Sequence, residues 1–207
     1  MRIGVILASS QAAKNRILFE TVKKYAPDDE VINFGCAEDE PEQFSYIEIS
    51  MLTGLLLTSG AVDFAVTGCS SGQGMMLACN SFPGVFCGYA PSPADAYLFA
   101  QINNGNAISL PLGEQYTWAG YENMDRTVAR LFSEPFGKGY PKEEAARKIA
   151  DSGQLKAIRR LSQVSAAEFL NSLDTAFVWR LLRKRDVVQY VLEHGNTDAV
   201  LWLRSIM

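Results

Sequence analysis

The residues best equipped for chemistry stand together at positions 66–76, Val-Thr-Gly-Cys-Ser-Ser-Gly-Gln-Gly-Met-Met. A thiol (Cys69), two hydroxyls (Ser70, Ser71) and an amide (Gln73) alternate there with Gly68, Gly72 and Gly74. A thiolate can act as base or nucleophile. Glycines let backbone N–H groups come close to a ligand, and at a helix N-terminus those groups and the dipole favour negative charge. An apolar run, Phe64-Ala-Val66, enters the stretch, and an apolar helix candidate from Met75 to Cys79 leaves it. The pattern therefore predicts a strand, a tight turn and a helix.

Several chemistries compete for this turn. Gly68-Cys-Ser-Ser-Gly72 fits the G-x-S-x-G pattern of a hydrolase elbow, whose serine needs a histidine base. The only histidine, His194, lies far away in a helical tail. Gly72-Gln-Gly74 begins a dinucleotide fingerprint, but Leu77 occupies the place of its third glycine and the turn follows the third strand, not the first. The plainest alternative is an ordinary turn with a small buried cysteine. Spacing alone does not separate that from a ligand cradle.

The elements that must position the turn are legible around it. Arg2 to Ala8 reads as a buried parallel strand, with Ser9-Ser10 capping a helix from Ala12 to Tyr25. A second strand, Glu30 to Phe34, leads into an acidic loop ending at Gln43. A helix from Ser45 to Ser59, stopped by Gly60, precedes the third strand, Asp63 to Thr67. After the turn come a helix to about Asn80, a strand Val85 to Tyr89, and a helix opened by Pro91-Ser-Pro93 and ending near Asn103. A fifth strand, Ala107 to Leu110, and a helix from about Tyr116 to Phe132 complete the repeat. Five strands each followed by a helix imply an α/β, Rossmann-like, doubly wound five-stranded parallel sheet with ligands at the carboxyl ends of its strands. Beyond Pro135 only helices are expected, at 142–150, 155–161, 166–183, 187–193 and 198–206. Residues 1–150 thus form the α/β domain and 151–207 a helical C-terminal extension, packed on the domain or on a partner subunit.

Composition narrows the function. With 48% hydrophobic residues, 207 positions can bury a full core without disulfides or metal. A net charge of −4 and the lack of a basic stripe argue against nucleic acid as partner. The most basic stretch, Arg180-Leu-Leu-Arg-Lys-Arg185, is expected at a helix C-terminus or on a solvated face. No apolar run approaches the roughly 18 residues a membrane helix needs. The four cysteines show no C-x-x-C spacing, and with one histidine a zinc site is not expected. The strand beginning at Arg2 leaves no room for a leader, so a reducing cytoplasm with free thiols is the expected setting.

Taken together, the chain resembles the ribose-5-phosphate isomerase B / galactose-6-phosphate isomerase family. The likeness runs from Arg2 to about Asn106, and more loosely to Tyr140. It rests on Glu30-Val-Ile-Asn-Phe-Gly35, Ser59-Gly-Ala-Val-Asp63, Cys69-Ser-Ser-Gly-Gln-Gly74 with Ala78-Cys-Asn80, Asp95-Ala-Tyr-Leu98 and Gln101-Ile-Asn-Asn-Gly-Asn106. The resemblance implies a homodimer with active sites at the subunit interface. It also implies aldose–ketose isomerisation of a small-molecule sugar phosphate through an enediolate, without metal or organic cofactor. Cys69 matches the residue that moves the proton, Ser71 one that assists at the substrate oxygens, and Asn103 one that borders the same site. Ser9, Ser70, Gly72, Gln73, Gly74 and Asn80 are expected to touch substrate, with N–H groups in the turn holding the oxyanion.

The departures from the family pattern are equally informative. Ile102 stands where the resemblance leads one to expect a ring-opening histidine, and Ala8-Ser9 where it has Asp-His. Leu112-Gly-Glu114 replaces an arginine, and Gly137-Lys-Gly-Tyr-Pro-Lys142 an Arg-rich tail. Lys138, Lys142 and Arg147 are the cations left to supply charge for a phosphate. Two readings follow. One is an isomerase for a substrate that needs no ring opening, such as a tetrose phosphate, or one with a different ring. The other is a binding or interaction module of the same fold. A retained thiol with Ser71 and Asn103 favours the enzyme.

Overall fold

The computed structural model describes residues 1–114, 120–196 and 198–207. Five strands, β1 (Arg2–Leu7), β2 (Glu30–Asn33), β3 (Phe64–Cys69), β4 (Cys87–Tyr89) and β5 (Ala107–Pro111), form one parallel sheet in the order β2-β1-β3-β5-β4. Both faces of the sheet are covered, which is why β1 and β3 read as unbroken apolar runs rather than alternating ones. From β1 the chain crosses to β2 on one side and later to β3 on the other. The carboxyl ends of β1 and β3 therefore flank a topological switch point, the place where such sheets bind ligands.

Helices α1 (Asn15–Tyr25), α4 (Pro93–Leu98) and α5 (Gly120–Leu131) cover one face, burying Leu18, Val22, Ala96, Met124, Val128 and Leu131. On the other lie α2 (Tyr46–Thr58) and α3 (Gln73–Ser81), with Ile49, Leu52, Leu56, Met75 and Cys79 in the core. The start expected for α5, near Tyr116, lies outside the described residues. Ser45 opens α2 with a capping box, its hydroxyl accepting from the N–H of Glu48 while the Glu48 carboxylate accepts from the N–H of Ser45. Every residue of α2 from Ile49 to Leu57 is buried. A helix apolar all round needs cover on both sides, and the C-terminal helices supply the second.

That extension consists of α6 (Ala145–Leu161), α7 (Ala166–Asn171), α8 (Thr175–Leu181), α9 (Arg185–His194) and α10 (Asp198–Ile206). Leu170, Val178, Leu181, Val187, Val191 and Leu203 join the same core as α2. The expected boundary at residue 150 falls inside α6, because the helices expected at 142–150 and 155–161 are one, led by a 3-10 turn at Lys142–Glu144. Conversely, 166–183 is two helices: Asp174 ends the run by accepting a bond from the N–H of Phe177 at 3.0 Å, capping α8. Ser9-Ser10 do not cap a helix either. They begin a 3-10 turn, Ser9–Lys14, that has no side-chain cap and precedes α1.

The basic run 180–185 is a docking device rather than a solvated face. Arg180 donates to Glu48 at 2.8 Å, to Glu42 and to the Gln43 carbonyl, and lies over the Phe44 ring at 4.9 Å. Lys184 is only 4% exposed and reaches Glu40 and Asp186, each at 2.9 Å. Burial opposes its charge, but the hydrogen bonds to the two carboxylates outweigh burial and raise its pKa. The extension thus holds the acidic loop that follows β2, on the rim where the sheet's strands end. Among the described residues no helix is long and apolar enough to cross a membrane.

Candidate active site

The strand β3 runs two residues further than the sequence suggests, so Cys69 is its last residue and lies four positions ahead of Gln73, the first of α3. It is therefore not in the helix's first turn, to which the effect of the dipole is largely confined. Backbone bonds staple this turn to both neighbouring strand ends. The N–H of Leu112 donates to the Cys69 carbonyl (3.0 Å), that of Gly113 to Ser70 (2.8 Å), and that of Ala8 to Gly68 (3.3 Å).

These close approaches explain the glycines. A Cβ on Gly68 would lie 2.6 Å from the Leu110 carbonyl oxygen. Gly72 has φ +73°, and a Cβ there would sit 2.8 Å from both the Pro111 nitrogen and the Tyr89 ring. Gly72→Ala is accordingly expected to cost about 2–3 kcal/mol in urea unfolding and to lower kcat/KM by about a hundredfold, by displacing the turn.

The Gly72 carbonyl is engaged by the Ser109 hydroxyl (2.7 Å) and by the N–H of Met76 (3.0 Å). The N–H groups of residues 70–75 have no acceptor among the described residues. Six consecutive free donors, around the left-handed Gly72 and at the start of α3, make a backbone nest of the kind that binds oxyanions. At its edge sits the Cys69 side chain, 7% exposed, in the apolar cluster that also holds Ala8, Phe44 and Met75. Such a setting places a thiol in dry surroundings beside donors that could hold an oxyanion.

The sequence-predicted residues divide into two groups. Ser9, Ser70, Ser71, Gly72, Gln73 and Gly74 gather with Cys69 at the carboxyl ends of β1 and β3. There the Ser9 hydroxyl accepts from the N–H of Phe44 at 2.7 Å, tying the end of β1 to the segment that closes the acidic loop. Ser71 is half-buried and Gln73 exposed. Gly74 passes beneath Tyr46, whose ring would be 3.2 Å from an added Cβ. Asn80 has its amide engaged by the fold: Nδ2 donates to the Met76 and Cys87 carbonyls, while Oδ1 accepts from the N–H of Cys87 and from Arg159. It braces α3 against β4 and has no donor left for a substrate.

Asn103, Lys138, Lys142 and Arg147 lie elsewhere. Asn103 ends the π-helical turn Phe99–Asn103, just before β5, whereas Cys69 pairs with Pro111 at the far end of that strand. Five residues of strand put about 16 Å between them, so one chain does not unite the two groups. The segment carrying Lys138 runs beside the same turn, with the N–H groups of Gly137 and Gly139 donating to the Ala100 and Gln101 carbonyls. Lys142 is exposed. Arg147 is paired with Glu144 and, at 3.0 Å, with Asp151, so its charge is already neutralised within α6.

Gln11 is a neighbour of the turn that the sequence does not single out. Its buried amide donates to the Ser70 hydroxyl at 2.9 Å and fixes the nest from β1's side. A glutamine in a polar turn carries no pattern that would single it out. The remaining thiols are set apart by their surroundings. Burial, the largest influence, pushes Cys36 up to about 11, keeping it a thiol beside Ser9. Cys79 and Cys87 share a hydrogen bond beneath β4. Among the described residues no group of three or more His, Cys, Asp or Glu side chains could hold a metal ion.

Comparison with known proteins places this geometry in context. A family model described as Ribose/Galactose Isomerase matches residues 5–150. No curated protein matches the chain. Among solved structures, a 4-deoxy-L-threo-5-hexosulose-uronate ketol-isomerase complexed with a tartrate is 38% identical, with a TM-score of 0.92, covering 100% of this chain and 99% of its own. A ribose-5-phosphate isomerase from Vibrio parahaemolyticus is 34% identical with the same TM-score, and covers 100% and 99%. The type B ribose 5-phosphate isomerase of Trypanosoma cruzi, 21% identical with a TM-score of 0.63 over 77% of this chain and 98% of its own, shares the fold.

Proposed function

Because the chain belongs to the ribose/galactose isomerase family, we propose that it is a cofactor-independent aldose–ketose isomerase in which Cys69 moves the proton, and that its substrate is an open-chain acidic sugar. The observation that most supports the chemistry is the unengaged nest of N–H groups at residues 70–75 beside the Cys69 thiol. The Cys69 thiolate takes the proton from C2 of the aldose, and the electron pair moves into an enediolate. The nest and the Ser71 hydroxyl stabilise the charge that develops on the substrate oxygens. Transfer of a proton between those oxygens and return of one from the thiol to C1 give the ketose, with no net change in protons.

The substrate reading rests on what surrounds the nest. Ile102 cannot open a sugar ring by acid–base catalysis, and Arg147 is neutralised by Glu144 and Asp151. A cyclic pentose phosphate would need both ring opening and a clamp for a dianion. A 4-deoxy-5-keto-hexuronate has no hydroxyl at C4 or C5 with which to close the usual five- or six-membered ring, and its carboxylate carries one charge. This is the substrate class named for the 38% identical relative. A tetrose phosphate also meets the open-chain requirement, and the name of the 38% identical relative favours the uronate over it. The separation of Cys69 from Asn103 within one chain supports a homodimer in which the turn of one protomer faces the Asn103 end of the other.

Specificity is tested by kcat/KM for 4-deoxy-L-threo-5-hexosulose uronate, erythrose 4-phosphate and ribose 5-phosphate. The uronate is expected to lead by a hundredfold or more, since each unmatched charge or ring costs that order. A lead for ribose 5-phosphate would overturn the substrate reading and leave the Cys69 chemistry standing. No turnover of any of the three would favour a binding module.

A further inference from the structure

A cavity of about 220 Å³ lies between the C-terminal half of α6 and the segments leading into β4 and β5. Lys156, Arg159, Arg160, Asn104, Asn106 and Gln163 contribute to its lining, and no acidic residue does. Three cations thus converge in a chain whose net charge is −4. None of the three makes an ion pair among the described residues.

The cluster is not an ordinary basic helix end. Arg159 turns away from its own helix to donate to the Asn80 carbonyl (3.1 Å), the Val85 carbonyl (2.7 Å) and Asn80 Oδ1 (3.2 Å), with its guanidinium over the Phe86 ring at 5.1 Å. Lys156 donates to the Asn104 carbonyl. Arg160 is exposed, and its side chain has no hydrogen bond among the described residues. Burial and then the charge of Arg160 lower the pKa of Lys156, so the cations hold each other at a cost that an anion would relieve. Asn106 fixes the floor by accepting from the N–H of Phe86 (2.7 Å) and donating to the Gly84 carbonyl (3.0 Å).

We propose that this cleft is a binding site for a compact oxyanion, the phosphate or carboxylate of a small metabolite, held by Lys156 and Arg160 with Arg159 as fixed positive background. It lies at the end of the sheet opposite Cys69 in the same chain. The anion therefore comes from one of two sources: the charged end of a substrate held by the Cys69 turn of a second copy, or a separate effector.

Inorganic phosphate is the probe, titrated into the full chain at constant ionic strength with chloride as the balancing anion. Calorimetry and thermal unfolding are expected to show saturable binding that raises Tm. Arg160→Gln and Lys156→Gln are each expected to weaken it about tenfold, the loss of one charge-assisted contact. The Arg160 side chain is exposed and makes no hydrogen bond or ion pair among the described residues, so that variant is expected to keep its fold. Equal stabilisation by chloride, or phosphate binding unchanged in both variants, would overturn the site. Given binding, kinetics identify the source. A raised KM with unchanged kcat in Arg160→Gln assigns the anion to the substrate, and an unchanged KM assigns it to an effector. The phosphate titration needs no turnover, so it fails or succeeds independently of the proposed reaction.

Discussion

Cys69→Ala is expected to lower kcat by about a thousandfold or more, the upper range for removing a general base. Its Tm should fall only modestly, because the change removes a single buried atom from the apolar cluster. Cys69→Ser keeps the volume and is expected to be almost as slow, since a hydroxyl is ionised far less readily than a thiol. Cys36→Ala provides the control. That thiol is held protonated by burial and lies outside the nest, so the variant should retain most of its activity. Steady-state rates and thermal unfolding of the three variants check this directly. Equal losses in Cys69→Ala and Cys36→Ala would mean that the region is being disturbed, not a base removed.

Lys184→Met is expected to lower stability by about 2–3 kcal/mol in urea unfolding. Removing one partner of a buried ion pair costs roughly 3–5 kcal/mol when the other is left dry. Here Glu40 is 23% exposed and Asp186 48% exposed, so water reclaims part of that cost. The pH dependence follows from the direction of the shift. The folded-state pKa of Lys184 lies above 10.5, so its contribution is fully present below pH 10.5 and is lost as pH rises through the folded value. The wild type should therefore lose stability above pH 10.5 more steeply than Lys184→Met. Parallel losses of the two proteins over that range would contradict the assignment. Because Lys184 and Arg180 hold the loop that contacts Ser9, the variant is also expected to raise KM.

Most of the sheet is readable from the sequence because parallel strands covered on both faces leave unbroken apolar runs, as in Ile3 to Leu7. The glycine turn is readable for a related reason: Gly68 and Gly72 are required by the backbones of Leu110 and Pro111, and that requirement leaves a composition mark. What the sequence conceals is long-range. Nothing local marks Gln11 as the partner of Ser70, 59 positions away. Lys184 looks like part of a basic solvated stretch until Glu40 and Asp186 are seen around it. The Asn103 group looks continuous with the Cys69 group in a linear motif, yet β5 separates them by its full length. Helix ends escape the sequence where a single side chain decides them, as Asp174 does between α7 and α8.

The central claim is that Cys69 moves a proton between C1 and C2 of an open-chain acidic sugar, and isomerisation in deuterated water tests it most directly. With 4-deoxy-L-threo-5-hexosulose uronate, NMR of the ketose is expected to show deuterium at C1, because a thiol exchanges its proton with solvent during the enediolate's lifetime. Cys69→Ser should show none on the same timescale. Ketose formed with no solvent deuterium, or labelling as fast in Cys69→Ser as in the wild type, would contradict the account.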